Sequence, residues 1–213
     1  MGLPVAKLIC ASNANNVLTG FIRTGVYDKR RAFHKTASPS MDILVSSNLE
    51  RYLFLESGRD AALVARLMRE LSEKGVYTAP ESVRKALSAR FWAGCADDAD
   101  TFKTIARIWD AHGYLLDTHT AVAWSVYEQF RQQDGNGKKT IVLATASPYK
   151  FAASVLAALG KPPAPGFAAL DELNALTGVP VPKNLAAIRS LPVLHTDTVD
   201  KRNLLSYVKE AIQ

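Results

Sequence analysis

Three short, mostly apolar runs constrain the fold of this chain more than any other feature: residues 5–11, punctuated by Lys7, residues 41–45, and residues 140–144. Runs of this length without strict polar alternation suit strands buried on both faces, as in parallel sheets. Each ends in a polar cluster: Ser12-Asn13-Ala14-Asn15-Asn16, Ser46-Ser47-Asn48 and Thr145-Ala146-Ser147. A helical pattern leaves each cluster. Leu18, Phe21 and Ile22 recur at helical spacing up to Thr24-Gly25, a capped helix continues through Leu53 and Phe54, and Ser147-Pro148 joins a cap residue to a proline at the first helical position. Short strands separated by helices predict an α/β fold with an open, mostly parallel sheet flanked by helices. Three strands make a thin sheet, so the fold is expected to be incomplete at the amino-terminal side and to need strands from outside these 213 residues.

The remaining pattern is helical. Leu63, Val64, Leu67, Met68 and Leu71 form one face of a helix over residues 60–74, a shorter helix begins at Pro80, and Val122, Val126 and Phe130 mark another stripe. Asp97, Asp98 and Asp100 precede Phe102 and Ile105, which puts carboxylates at a helix amino terminus rather than in a metal cluster. Gly135-Asn136-Gly137 signals a turn. Pro162-Pro163-Ala164-Pro165-Gly166 reads as a linker between a partial α/β domain over 1–160 and a helical extension over 161–213, expected to pack on it and to end in an amphipathic helix carrying Leu204, Leu205, Val208 and Ile212.

The net charge of +6 is dispersed, apart from Lys29-Arg30-Arg31, and basic residues alternate with acidic ones. That argues against nucleic acid and suits a small anionic ligand. No apolar run approaches the roughly 20 residues needed to span a bilayer, and the opening residues do not have the pattern of a secretory leader, so a cytoplasmic protein without membrane contact is expected. Cys10 and Cys95 lack metal-ligand or disulfide spacing and read as reduced thiols.

Ligands of open parallel sheets bind beyond the carboxyl ends of the strands, where the three polar clusters fall. Each cluster also opens a helix, so capping accounts for much of its polarity. Thr145 is different: it lies between run and cap residue, and capping leaves its hydroxyl unused.

Several segments, in order, resemble threonine synthases: 8–18, Arg23-Thr24-Gly25-Val26-Tyr27-Asp28, Ser38-Pro39-Ser40-Met41-Asp42-Ile43, Ser46-Ser47-Asn48-Leu49-Glu50-Arg51, Asp117-Thr118-His119-Thr120-Ala121-Val122-Ala123, Thr145-Ala146-Ser147-Pro148-Tyr149-Lys150-Phe151 and Leu176-Thr177-Gly178-Val179-Pro180-Val181-Pro182. Thr118 departs from the proline that many relatives carry after the aspartate. The resemblance implies the carboxyl-terminal part of a fold type II pyridoxal 5'-phosphate enzyme that converts O-phosphohomoserine and water into threonine and phosphate, with the cofactor as electron sink. It implies cofactor contacts at Thr145, whose hydroxyl would meet the pyridine nitrogen, and at Ser147 and Lys150. A neutral partner of that kind leaves the ring nitrogen largely unprotonated. Asn13, Asn16, Asn48 and His119 fall in matching segments and are expected near the substrate, without assigned roles.

No catalytic residue is expected in this chain. The family's Schiff-base lysine, its glycine-rich phosphate loop and the segment associated with substrate phosphate are expected upstream, and Met1-Gly2-Leu3-Pro4 resembles an internal stretch of the family. Lys150, in a first helical turn, lacks the desolvation or cationic neighbour that would make it a nucleophile. Two readings follow: a piece of threonine synthase that works with the missing amino-terminal portion of the same protein, or a non-catalytic module that binds a partner through the surface that portion would cover.

Overall fold

The computed structural model describes residues 4–134 and 137–212; Met1-Gly2-Leu3 and the Gly135-Asn136 part of the turn signal lie outside the described residues. In chain order the elements are β1 (Leu8–Ser12), α1 (Val17–Thr24), β2 (Val26–Asp28), α2 (Leu49–Glu56), α3 (Ala61–Lys74), β3 (Val76–Thr78), α4 (Glu81–Arg90), β4 (Phe91–Cys95), α5 (Asp98–His112), α6 (Thr118–Asp134), α7 (Ala152–Ala158), α8 (Gly166–Thr177), α9 (Lys183–Ala187) and α10 (Leu204–Ala211). Short 3-10 turns occur at Pro39–Met41, Pro148–Phe151, Ile188–Ser190 and Lys201–Asn203.

β1 and β4 pair in parallel, from Leu8 opposite Phe91 to Ser12 opposite Cys95. Side chains alternate across a strand, so the two faces of this pair take different neighbours. Ile9 and Ala11 pack with Ala96, Val122 and Val126, the last two from α6. Ser12 turns the other way and accepts a 3.0 Å hydrogen bond from the Thr19 hydroxyl of α1. The parallel pair is therefore covered by helices on both faces, the α/β arrangement expected from the sequence.

A second unit of structure grows from a repeated tripeptide. α1 ends at Gly25 and α3 at Gly75, both left-handed with φ of 74° and 75°, and each glycine N–H closes its helix on the carbonyl four residues back. Val-Tyr follows each glycine, and these become β2 and β3, paired antiparallel with Tyr27 opposite Tyr77. The two rings stack at 5.3 Å and both meet Phe21 edge-on. Phe21, Tyr27, Leu53, Leu67, Val83 and Leu87 then form a core shared by α1, α2, α3 and α4.

Two expected strands do not form. Residues 41–45 begin in the Pro39–Met41 3-10 turn and continue irregularly, with the Leu44 carbonyl taken by the Tyr27 hydroxyl at 3.1 Å. Residues 140–144 pair with no other strand, and Ile141 and Leu143 are 86% and 74% exposed. Their composition is that of a strand, but a ladder needs a neighbour, and among the described residues none runs beside them. β4 was not anticipated, because Phe91 follows Arg90 of α4 with no turn residue between.

The chain divides into two compact units, Met1–Pro180 and Val181–Gln213. The first holds both strand pairs and their helices, with α8 packed on α7. In the second, neither α9 nor α10 buries a residue.

Candidate functional site

Beyond the carboxyl ends of β1 and β4, where a parallel pair presents its ligand face, lies the segment 34–42. Side chains from three elements hold it. After β1, the Asn15 amide donates to the His34 carbonyl at 2.8 Å and accepts the His34 N–H at 2.9 Å. Asn13, 1% exposed, directs its amide nitrogen to the Thr36 hydroxyl (2.8 Å), the Ser38 hydroxyl (3.0 Å) and Asp42 Oδ1 (2.8 Å), while its oxygen accepts the Asn15 N–H at 2.9 Å. At the start of α5, the Asp98 carboxylate accepts the Ala37 N–H at 3.1 and 3.2 Å. Asp42 is the hub: it also accepts from the Asn15 amide (3.0 Å), the Thr36 N–H (3.0 Å) and the Thr36 hydroxyl (2.7 Å).

The third support comes from α6. Asp117, Thr118, His119 and Thr120 are all buried, and Asp117 caps the helix by accepting the N–H groups of His119 (2.9 Å) and Thr120 (3.3 Å) and the Thr120 hydroxyl. His119 Nδ1 lies 3.2 Å from the same carboxylate, and Nε2 accepts the Ser40 N–H at 3.1 Å. Its ring packs at 4.7 Å on Phe151, and the Lys150 ammonium stands 5.4 Å from the other partner in that contact, the Phe151 ring. Asn13, the 36–42 segment, His119, Phe151 and Lys150 thus form one continuous series of contacts.

Ser147 behaves as a cap: its hydroxyl accepts the Tyr149 N–H at 3.3 Å where the 3-10 turn begins. Thr145 is exposed in the irregular approach to that turn, and Lys150 is exposed within it. Asn16 precedes α1 without capping it; its oxygen accepts Arg31 at 2.6 Å and its amide donates to Cys95 Sγ at 3.5 Å. The Arg31 guanidinium fits there because Gly20 has no Cβ, which would stand 2.5 Å from a guanidinium nitrogen. Asn48 is exposed at the start of α2 and makes no capping bond. Neither Asn48 nor Thr145 belongs to the series of contacts around His119.

Sequence reasoning missed Asn15, Thr36, Asp42, Asp98 and Asp117 as individuals, although most sit inside segments it singled out. The available signal was the excess of amides after β1, more than one helix start can use. Among the described residues no group of three or more His, Cys, Asp or Glu could hold a metal ion, and no helix is long and apolar enough to cross a membrane.

Residues 120–202 match the family described as "Threonine synthase, C-terminal". The chain is 39% identical over 168 residues to threonine synthase of Methylobacillus glycogenes, covering 76% of this chain and 34% of that protein. It is 41% identical over 160 residues to human threonine synthase-like 1, covering 75% of this chain and 21% of that protein. Among solved structures, yeast threonine synthase superposes with a TM-score of 0.82 at 29% identity over 100% of this chain and 43% of that one. The pyridoxal-phosphate-bound threonine synthase of Brucella melitensis gives 0.68 at 38% identity over 82% and 37%. The chain spans about a fifth to a third of the length of these curated relatives.

Proposed function

The chain matches the carboxyl-terminal portion of threonine synthases in sequence and fold, and from that premise we propose that it supplies one wall of a threonine synthase active site. Its α/β architecture is part of the large domain of fold type II pyridoxal-phosphate enzymes. The reaction is the conversion of O-phosphohomoserine and water into threonine and phosphate, in the cytoplasm, with the rest of the active site contributed by an amino-terminal portion of the same kind of protein.

One observation carries the reading: similarity to the yeast enzyme covers the full span of this chain, within which the 34–42 segment, the Asp117–Thr120 helix start and the Ser147–Phe151 turn fall. The residues present suit one edge of pyridoxal phosphate. Thr145 is exposed and free of capping duty, and its hydroxyl would meet the pyridine nitrogen; Ser147 would fix the turn beside it, and exposed Lys150 would offer a cation to the substrate side. Among the described residues no glycine-rich helix start provides for the cofactor phosphate: Gly25, Gly75, Gly113 and Gly178 end helices, and Gly166 opens α8 without a second glycine beside it. When bound, the cofactor supplies an electron sink. This chain orients it through Thr145 and keeps the crevice wall rigid through Asn13, Asn15 and Asp42.

The test is complementation. The 213-residue chain alone is expected to form no threonine from O-phosphohomoserine, whereas mixing it with an amino-terminal portion of a threonine synthase and pyridoxal phosphate should restore threonine formation. Activity by the chain alone, or none in the mixture despite complex formation, would overturn the proposal. The second outcome would favour a non-catalytic module that uses the same surface for a partner.

A further inference from the structure

We propose that His119 is a positioning residue: held as the Nδ1–H tautomer, it latches the 36–42 segment over the carboxyl ends of β1 and β4 and takes no part in proton transfer. Every backbone N–H of residues 36–42 has a partner inside the protein. In this segment the Thr36 N–H goes to Asp42, Ala37 to Asp98, Ser38 to the Thr36 hydroxyl at 3.2 Å, and Met41 to the Ser38 carbonyl at 2.9 Å. Pro39 has no N–H. The Ser40 N–H is met from outside the segment, by His119 Nε2 at 3.1 Å.

A backbone N–H can only donate, so Nε2 must carry a lone pair and the single imidazole proton sits on Nδ1. There it faces Asp117 Oδ1 at 3.2 Å, an oxygen already accepting two N–H groups from the first turn of α6. Both ring nitrogens are thus engaged inside the protein. His119 is 8% exposed, and Phe151 covers one face of the ring. A general base needs a nitrogen within reach of the proton it removes, and His119 has none to spare. What it does have is reach: it ties the helix that starts at Thr118 to a turn that is otherwise held by its own internal bonds, by Asn13 and Asn15 after β1, and by Asp98 of α5.

The catalytic importance of this latch rests on the threonine synthase reading; the latch itself does not. In the 15N-labelled chain near neutral pH, long-range nitrogen–proton spectra should show a protonated Nδ1 and an unprotonated Nε2 at His119. Two substitutions separate positioning from mere bulk. In His119→Gln the side-chain oxygen can stand where Nε2 stood and accept the Ser40 N–H, whereas His119→Asn reaches only the Nδ1 position. Hydrogen exchange of the Ser40 amide should stay within about threefold of the unmodified chain in the glutamine variant and rise about tenfold in the asparagine variant, with β1 amides unchanged. A proton on Nε2, or equal exchange in the two variants, would overturn the proposal. If the asparagine variant does not fold, the tautomer in the unmodified chain decides alone. No activity enters these readouts, so failure of the latch and failure of the proposed function are separate results.

Discussion

Asp42 shows how much of the crevice wall depends on one carboxylate. Four donors converge on it, two of them side-chain amides and two from Thr36. Asp42→Ala would remove the acceptor that these four donors share, and the expected cost is about 2 kcal/mol, seen as a lower urea midpoint. An unchanged midpoint would mean that the 34–42 segment is held by other means. At the same scale, burial pushes the Cys10 thiol from 9.0 to about 11. The folded state thus favours the neutral thiol, so Cys10 contributes stability that is full below about pH 9 and is lost as pH rises through about 11. Native Cys10 should resist iodoacetamide at pH 8 (an ordinary alkylation pH, about one unit below that range) and react once denaturant opens the β1–α1 face; rapid native modification would contradict its placement. Single residues were unevenly legible. Ser147 does what a serine before proline should do, but Asn13 and Asn16 look like helix caps in sequence and act as a loop clamp and an arginine partner, because the groups that the Asn13 amide nitrogen and the Asn16 oxygen meet come from 15 or more positions away.

Elements were easier to read where their partners are local. The stripe Leu63, Val64, Leu67, Met68 and Leu71 became α3, with the Asp60 carboxylate accepting the Leu63 N–H at 2.9 Å as its cap. β2 and β3 escaped because three residues cannot display alternation, and what makes them strands is the pairing of two distant Gly-Val-Tyr sequences. The reverse happened at residues 140–144, where the composition is right for a strand and the ladder is missing. If that run pairs only when an amino-terminal portion is supplied, Leu143→Asp should shift the stability of the chain alone by no more than about 0.5 kcal/mol, as for an exposed position. The same substitution should abolish restored threonine formation in the mixture. A large loss of stability in the isolated chain, by thermal or urea unfolding, would place Leu143 in a core that this chain already builds.

At the scale of the molecule, the α/β class and the helices after residue 160 were legible, while the extent of the sheet was not, since a sheet is a property of all the strands that enter it. The match to relatives of which this chain spans about a third fits a structure whose parallel pair is covered on both faces yet, among the described residues, two strands wide. The uncharged hexapeptide Thr140-Ile141-Val142-Leu143-Ala144-Thr145 also governs the solubility of the isolated chain. Its β-branched, exposed backbone has the composition of segments that stack into cross-β fibrils. Lys138 and Lys139 on one side and Pro148 on the other are its gatekeepers. Salt that screens those two lysines would weaken the charge repulsion that keeps identical hexapeptides apart, so a concentrated stock should cloud sooner in high salt than in low.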